Sequence, residues 1–156
     1  ISEFLQNYVQ AKQELMETGK EEMTLDTKGI KADVLVDPEQ LQRIFDNLLE
    51  NSRKYGEIIP LKINIVLSKT PMGLSICFKD NGVGVPEEKL PYIFEEFYRG
   101  DESRNKKEGN GLGLYIVKYL AGAMGGSVRA ENADGFEVCL KLPISGKGEA
   151  EDNGKQ

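Results

Sequence analysis

The sequence predicts a two-layer α/β sandwich, on three observations. Long segments with apolar residues at helical spacing are interleaved with short runs of strict apolar–polar alternation. The alternating runs are mostly joined by tight glycine-marked turns, which favours hairpin-linked strands over parallel crossovers. No internal repeat interrupts the pattern, and 156 residues suit one domain.

The first helix spans Ser2–Met16, where Phe4, Leu5, Tyr8, Val9, Ala11, Leu15 and Met16 form an imperfect stripe. Strands are expected at Glu22–Leu25 and Asp33–Val36. Asp37-Pro38 then reads as an N-cap followed by proline at the first helical position. The helix it starts runs to Tyr55, with Leu41, Ile44, Phe45, Leu48 and Leu49 as its core stripe and Gly56 as its stop. Leu61, Ile63, Ile65 and Leu67 alternate along one strand, and Leu74, Ile76 and Phe78 along the next, with Pro71-Met72-Gly73 as the turn. A short helical stretch is expected around Pro91–Tyr98. Arg99–Asn110 has no large apolar side chain and reads as an exposed, mobile loop. A second long helix is expected over Gly111–Met124, facing inward with Leu112, Tyr115, Ile116, Tyr119 and Leu120 and closed by Gly125-Gly126. Strands at Ser127–Glu131 and Phe136–Leu142 follow, and the polar tail 145–156 reads as disordered.

Composition excludes several chemistries. The chain has no histidine, so Ser-His and Cys-His nucleophile pairs, histidine metal ligands and histidine proton shuttles are all ruled out. Twenty basic against 26 acidic residues leave a net charge of −6, which argues against a general nucleic-acid or anionic-membrane surface. No apolar run approaches the ~18 residues of a membrane span. Cys77 and Cys139 sit in alternating apolar segments and are expected as buried, reduced thiols, in keeping with a reducing compartment.

Four features carry candidate chemistry. On the helix 38–55, Asn47, Asn51 and Lys54 fall within about 60° of one another at ~100° per residue, beside the buried stripe. Carboxamide oxygens suit a hard cation such as Mg²⁺, and a lysine can meet a phosphate. The plain alternative is a solvated helix face. Asp80-Asn81-Gly82-Val83-Gly84 ends a strand with a carboxylate and close-approach glycines, although Asn-Gly is also a common tight turn. Gly109-Asn110-Gly111-Leu112-Gly113-Leu114 reaches a helix start over glycines, either an anion site or a hinge. It is neither a dinucleotide fingerprint nor a P-loop. Between them lies a charged loop with Arg99, Arg104, Lys106 and Lys107, preceded by Phe94 and Phe97.

In this order and spacing, Asn47-Leu-Leu-Glu-Asn51-Ser-Arg-Lys54-Tyr55, Asp80-Asn-Gly82-Val-Gly84, Phe94-Glu-Glu-Phe97-Tyr-Arg99 and Gly109-Asn-Gly111-Leu-Gly113-Leu114 resemble the N, first Gly, F and second Gly boxes of sensor histidine kinases. These boxes mark the catalytic, ATP-binding domain of the gyrase/chaperone/histidine kinase/mismatch-repair superfamily, and the resemblance covers about Phe4 to Pro143. It implies a mixed sheet of about five strands with three helices on one face and a mobile ATP lid. It also implies an ATP-binding set of Asn47, Asn51, Lys54, Tyr55, Asp80, Gly82, Gly84, Arg99, Gly109, Gly111, Leu112, Gly113 and Leu114. Within that set Asn51 would ligate Mg²⁺, with Asn47 assisting, and Lys54 would face the γ-phosphate. Tyr55 would stack on adenine and Asp80 would accept from its amino group. Gly84 would shape that pocket, and Arg99 would meet the transferring phosphoryl group. Asn47, Lys54 and Arg99 are the residues implied to be catalytic.

One position separates subfamilies. Hydrolysing relatives and anti-sigma serine kinases carry a glutamate four residues before the metal asparagine, where this chain has Asn47. The resemblance therefore implies a kinase that holds ATP for an external histidine. The alternatives are an anti-sigma-type serine/threonine kinase and a non-catalytic nucleotide sensor. Residues 1–20 would be the linker helix after a phosphoacceptor hairpin together with the first helix of the domain, 21–144 the catalytic domain, and 145–156 the tail. The chain, which starts at Ile1, reads as a piece of a longer protein. The partners implied are that phosphoacceptor domain and a response regulator. The isolated domain would be a monomer, cytoplasmic, from a homodimeric and membrane-anchored parent.

Overall fold

Residues 1–95 and 113–144 are described by the computed structural model. In chain order they form α1 (Ser2–Leu15), β1 (Glu21–Asp26), α2 (Pro38–Tyr55), β2 (Leu61–Thr70), β3 (Gly73–Asp80), a 3₁₀ segment (Glu87–Tyr92), α3 (Gly113–Ala123), β4 (Ser127–Asn132) and β5 (Phe136–Leu142). The strands make one sheet in the order β1-β2-β3-β5-β4. Among the described strands only β1 and β2 run parallel, and such a pair needs a crossover, which α2 supplies. The remaining pairs are antiparallel, so the sheet is mixed. This is the two-layer sandwich that the sequence predicts.

The layers follow from alternation. Leu61, Ile63, Ile65 and Leu67 of β2, Leu74, Ile76 and Phe78 of β3, and Phe136, Val138, Leu140 and Leu142 of β5 are all buried under the helices. Lys62, Asn64, Arg129 and Lys141 point to the opposite, exposed face. Asp37 caps α2 as expected, accepting from the Glu39 amide at 2.9 Å. The predicted stripe of α2 is buried in full, each large side chain contributing about 1.5–3 kcal/mol. Polar ties fix the helices in place, among them the pair of Lys12 of α1 with Asp46 of α2 at 3.1 Å. Tyr8 donates to Asp46 at 2.9 Å, joining α1 to α2, and Arg53 makes a forked pair with Glu21 of β1 at 2.7 and 2.9 Å.

The structure corrects several expectations. Residues 33–36 are not a strand. Val34 and Val36 are half-buried against the core and Leu35 is exposed, so their alternation reflects a packed but unpaired segment leading into Pro38. The helical stretch expected at Pro91–Tyr98 begins earlier, as the 3₁₀ turn at Glu87–Tyr92. On α3 the buried residues are Val117, Leu120 and Ala121, while Tyr119 is 65% exposed and Tyr115 half-buried. That inward face is rotated from the predicted one because α3 packs mainly against α2 rather than against the sheet. On α1, Leu15 is exposed as well. Gly125 and Gly126 close α3 as predicted, with Gly126 N–H donating to Ala121 O at 2.9 Å.

The two cysteines are not free thiols. β3 and β5 place Cys77 directly opposite Cys139, and the pair forms a disulfide. Sequence alone does not give strand register, which is what brings them together. Arg99, Gly109, Gly111 and Leu112, the loop 99–110 and the tail 145–156 lie outside the described residues. None of the described helices is long and apolar enough to cross a membrane.

Candidate functional site

The site grows from the end of β3. Asp80 is buried, and its carboxylate is held on three sides. Oδ1 accepts from the Gly82 amide at 2.8 Å and the Phe136 amide at 3.2 Å, and Oδ2 accepts from Ser52 Oγ at 2.6 Å. A carboxylate offers about four lone-pair positions. Oδ2 therefore keeps one for another donor.

The backbone around Asp80 is packed to contact. A Cβ on Gly82 would lie 2.6 Å from Gly56 Cα, so the loop after β3 abuts the end of α2, where the Val83 amide donates to Gly56 O at 3.1 Å. Gly84 has φ +75°, and a Cβ there would meet Asn132 Oδ1 at 2.5 Å. Asn132 clasps the next residue from both sides, accepting from the Val85 amide at 2.9 Å and donating to its carbonyl at 2.6 Å. Asn81 has a scaffold role: it accepts from the Lys62 amide at 2.8 Å and donates to Pro60 O at 3.1 Å.

The helix that Ser52 ties to this carboxylate, α2, also carries Asn47, Asn51, Lys54 and Tyr55, all half-buried. Asn47 Nδ2 donates to Arg43 O at 2.9 Å, which leaves Oδ1 toward the start of α3, 3.8 Å from where a Cβ on Gly113 would sit. Asn51 lies one turn further along and next to Ser52. Lys54 Nζ is 3.7 Å from Glu50 Oε1. A surface pair at this spacing contributes only about 0.3–0.5 kcal/mol, too little to hold the lysine against a bound phosphate. Leu114 packs against the core from α3. The structure thus joins Asp80 and Gly82 to the C-terminal half of α2, and Asn47 to Gly113 at the start of α3.

Residues 36–146 match the family of histidine kinase-, DNA gyrase B- and HSP90-like ATPases. The chain belongs to this family. Among curated relatives, it is 36% identical over 121 residues to the signal transduction histidine-protein kinase AfsQ2 of Streptomyces coelicolor, covering 76% of this chain and 22% of that one. It is 34% identical over 132 residues to the sensor histidine kinase YkoH of Bacillus subtilis, covering 84% and 26%. The chain thus spans about a quarter of the length of these relatives. Among solved structures, the catalytic domain of histidine kinase ThkA superposes with a TM-score of 0.75 at 22% identity, covering 91% of this chain and 92% of that one. Full-length ShkA in complex with AMPPNP superposes with a TM-score of 0.74 at 25% identity, covering 90% and 29%. The fold of this family member is that of histidine kinase catalytic domains.

Ser52 and Asn132 join this candidate site with no role expected of them from sequence, and Gly56, expected only as a helix stop, and Gly135, expected only as part of a loop, join it too. Ser52 had a visible signal, because it continues the stripe Leu41, Ile44, Phe45, Leu48, Leu49 and so places a hydroxyl where the core expects carbon. Gly135 reads in sequence as a loop glycine of little weight. In the structure it has φ +134°, and a Cβ would stand 1.9 Å from Asp80 O.

Proposed function

We propose that this chain is the ATP-binding catalytic domain of a two-component sensor kinase, binding Mg²⁺-ATP and donating the γ-phosphoryl group to a histidine on a separate phosphoacceptor domain. The observation that carries the reading is the chemistry of α2. Asn47 is a neutral carboxamide with its Nδ2 already engaged by Arg43 O, so it cannot take a proton from water. Glu50 is exposed and, at ~100° per residue, points about 100° away from Asn51. With no base four residues before Asn51 to activate water, the groups present suit holding ATP for an external acceptor over hydrolysing it.

The remaining residues fit a purine nucleotide with its metal. The free position on Asp80 Oδ2 suits the exocyclic amine of adenine, and Tyr55, the last residue of α2, would stack on the ring. Asn51 and Asn47 offer hard oxygen donors of the kind Mg²⁺ takes alongside phosphates and water. The ion, when bound, neutralises phosphate charge during transfer. Lys54 and Arg99 supply further positive charge, and Gly82, Gly84, Gly109, Gly111, Leu112, Gly113 and Leu114 would shape the approach to the nucleotide. The protein's own contribution is positioning and charge stabilisation. The partners in this reading are the phosphoacceptor domain and a response regulator, the domain being cytoplasmic in a parent that dimerises through its phosphoacceptor hairpin.

Calorimetric titration with a non-hydrolysable ATP analogue, with and without Mg²⁺, tests the site. Metal-dependent binding is expected, and absence of binding at any accessible concentration would leave only a docking module. Phosphate transferred by the parent protein should be acid-labile, as phosphohistidine is. An acid-stable product would favour the serine/threonine kinase alternative.

A further inference from the structure

The sheet face turned away from the helices carries a cluster of metal-type ligands, Cys77, Glu137 and Cys139. We propose that, once the Cys77–Cys139 disulfide is reduced, these three side chains bind a thiophilic divalent cation such as Zn²⁺ or Cd²⁺. Strand geometry assembles the set. Glu137 and Cys139 are two apart on β5 and so project from the same face, and Cys77 stands directly opposite Cys139 on β3. The three ligand atoms all lie within 4.8 Å of one another. Tetrahedral ligands at about 2.0–2.3 Å from a shared zinc stand about 3.3–3.8 Å apart, so on reduction the two sulfurs separate and Glu137 turns inward by about an ångström to close the triangle.

Access and charge agree with this geometry. Cys77 and Glu137 are half-buried and open on their solvent side, while Cys139 forms the buried floor. An ion entering there keeps a fourth position for water. Two thiolates and a carboxylate bring three negative charges. Register places Arg129 of β4 beside Cys139 and Lys79 of β3 beside Glu137, with Glu131 of β4 opposite Glu137 and paired to Arg129 at 2.9 Å, so Lys79 is the cation left to balance the ligands. A positive neighbour such as Lys79 favours the thiolate form that a metal needs. Thiolate donors select soft ions over Mg²⁺, so this site is chemically separate from the carboxamides of α2.

The disulfide and the metal exclude one another. A dithiol reductant gives two electrons and two protons to the S–S bond, becoming a cyclic disulfide and leaving two thiols. The cation then displaces both thiol protons to solvent as two metal–sulfur bonds form.

The test titrates Cd²⁺ into the reduced 156-residue chain, freed of reductant without air, following thiolate-to-metal charge-transfer absorbance and circular dichroism. One equivalent should saturate the folded, reduced chain, Zn²⁺ should compete, and the oxidised chain should show no signal. Cys139→Ala should abolish the signal, and Glu137→Gln, which keeps both thiols, should weaken affinity about tenfold. No charge-transfer band in the reduced, folded chain would overturn the proposal. So would unchanged affinity in Glu137→Gln, or loss of the fold on reduction, which would make the disulfide purely structural.

Discussion

Ser52 Oγ donates to Asp80 Oδ2 at 2.6 Å, a buried bond between the last turns of α2 and the end of β3. It makes the helix that presents the asparagines and the strand that presents the carboxylate a single unit. Ser52→Ala removes the donor and leaves a buried carboxylate oxygen short of a partner, at a cost of about 1–3 kcal/mol. The denaturant midpoint should fall with no change in its slope, and affinity for an ATP analogue should fall with it. An unchanged midpoint would show that the bond contributes nothing net.

Asp80→Asn separates shape from chemistry. The amide can keep an oxygen toward the Gly82 and Phe136 N–H groups, and the Ser52 hydroxyl can turn to accept from the new amine. What is lost is the free acceptor position. We expect the fold to survive and analogue affinity to fall at least tenfold, about 1.4 kcal/mol or more. Equal calorimetric affinity in the variant would remove Asp80 from adenine recognition.

These two residues also show what a sequence can reveal. The cap at Asp37, the stripe of α2, the alternation of β2, β3 and β5 and the glycine stop of α3 are local patterns with local causes, and each is legible. So is the shared face of Asn47, Asn51 and Lys54, which helix geometry alone dictates. The contacts that build the site are not local. Ser52 meets a carboxylate 28 residues on, and the Phe136 amide meets that same carboxylate from 56 residues away. The Cys77–Cys139 pairing spans 62 residues and depends on register between strands that are not adjacent in sequence. The segment 33–36 has the alternation of a strand, yet whether a strand forms depends on a neighbour that the sequence does not name.

Gly135→Ala should be far more damaging than its loop position suggests. Its Cβ would stand 1.9 Å from Asp80 O, where only backbone can yield. Strain at φ +134° of about 1–3 kcal/mol would add to an overpacking cost of similar size. Gly122→Ala is the internal control: on α3 nothing lies within 4 Å of its Cβ, and helix propensity should stabilise the chain by about 0.5–1 kcal/mol. Thermal melts of the two variants should move in opposite directions.

Asn51→Ala tests the metal. Asn51 is half-buried on α2 and outside the apolar stripe, so its loss should leave the melting temperature nearly unchanged. Analogue binding to this variant should become insensitive to Mg²⁺ and EDTA. A retained Mg²⁺ dependence would place the metal on other residues.

The link between α1 and α2 predicts an alkaline limit to stability. Burial and the charge and hydrogen bond of Asp46 push the Tyr8 hydroxyl well above the ordinary tyrosine range. The neutral phenol is therefore favoured in the folded state, and this contribution is fully present below the unfolded value of about 10. As pH rises past about 10 the unfolded chain releases the proton first, and stability falls with a slope approaching 1.4 kcal/mol per pH unit from this residue. Tyr8→Phe deletes the titration. Its denaturation free energy, measured from about pH 8 to 11, should start lower than wild type for want of the Asp46 bond and then decline less steeply. Parallel curves for the two proteins would mean that Tyr8 ionises as readily folded as unfolded.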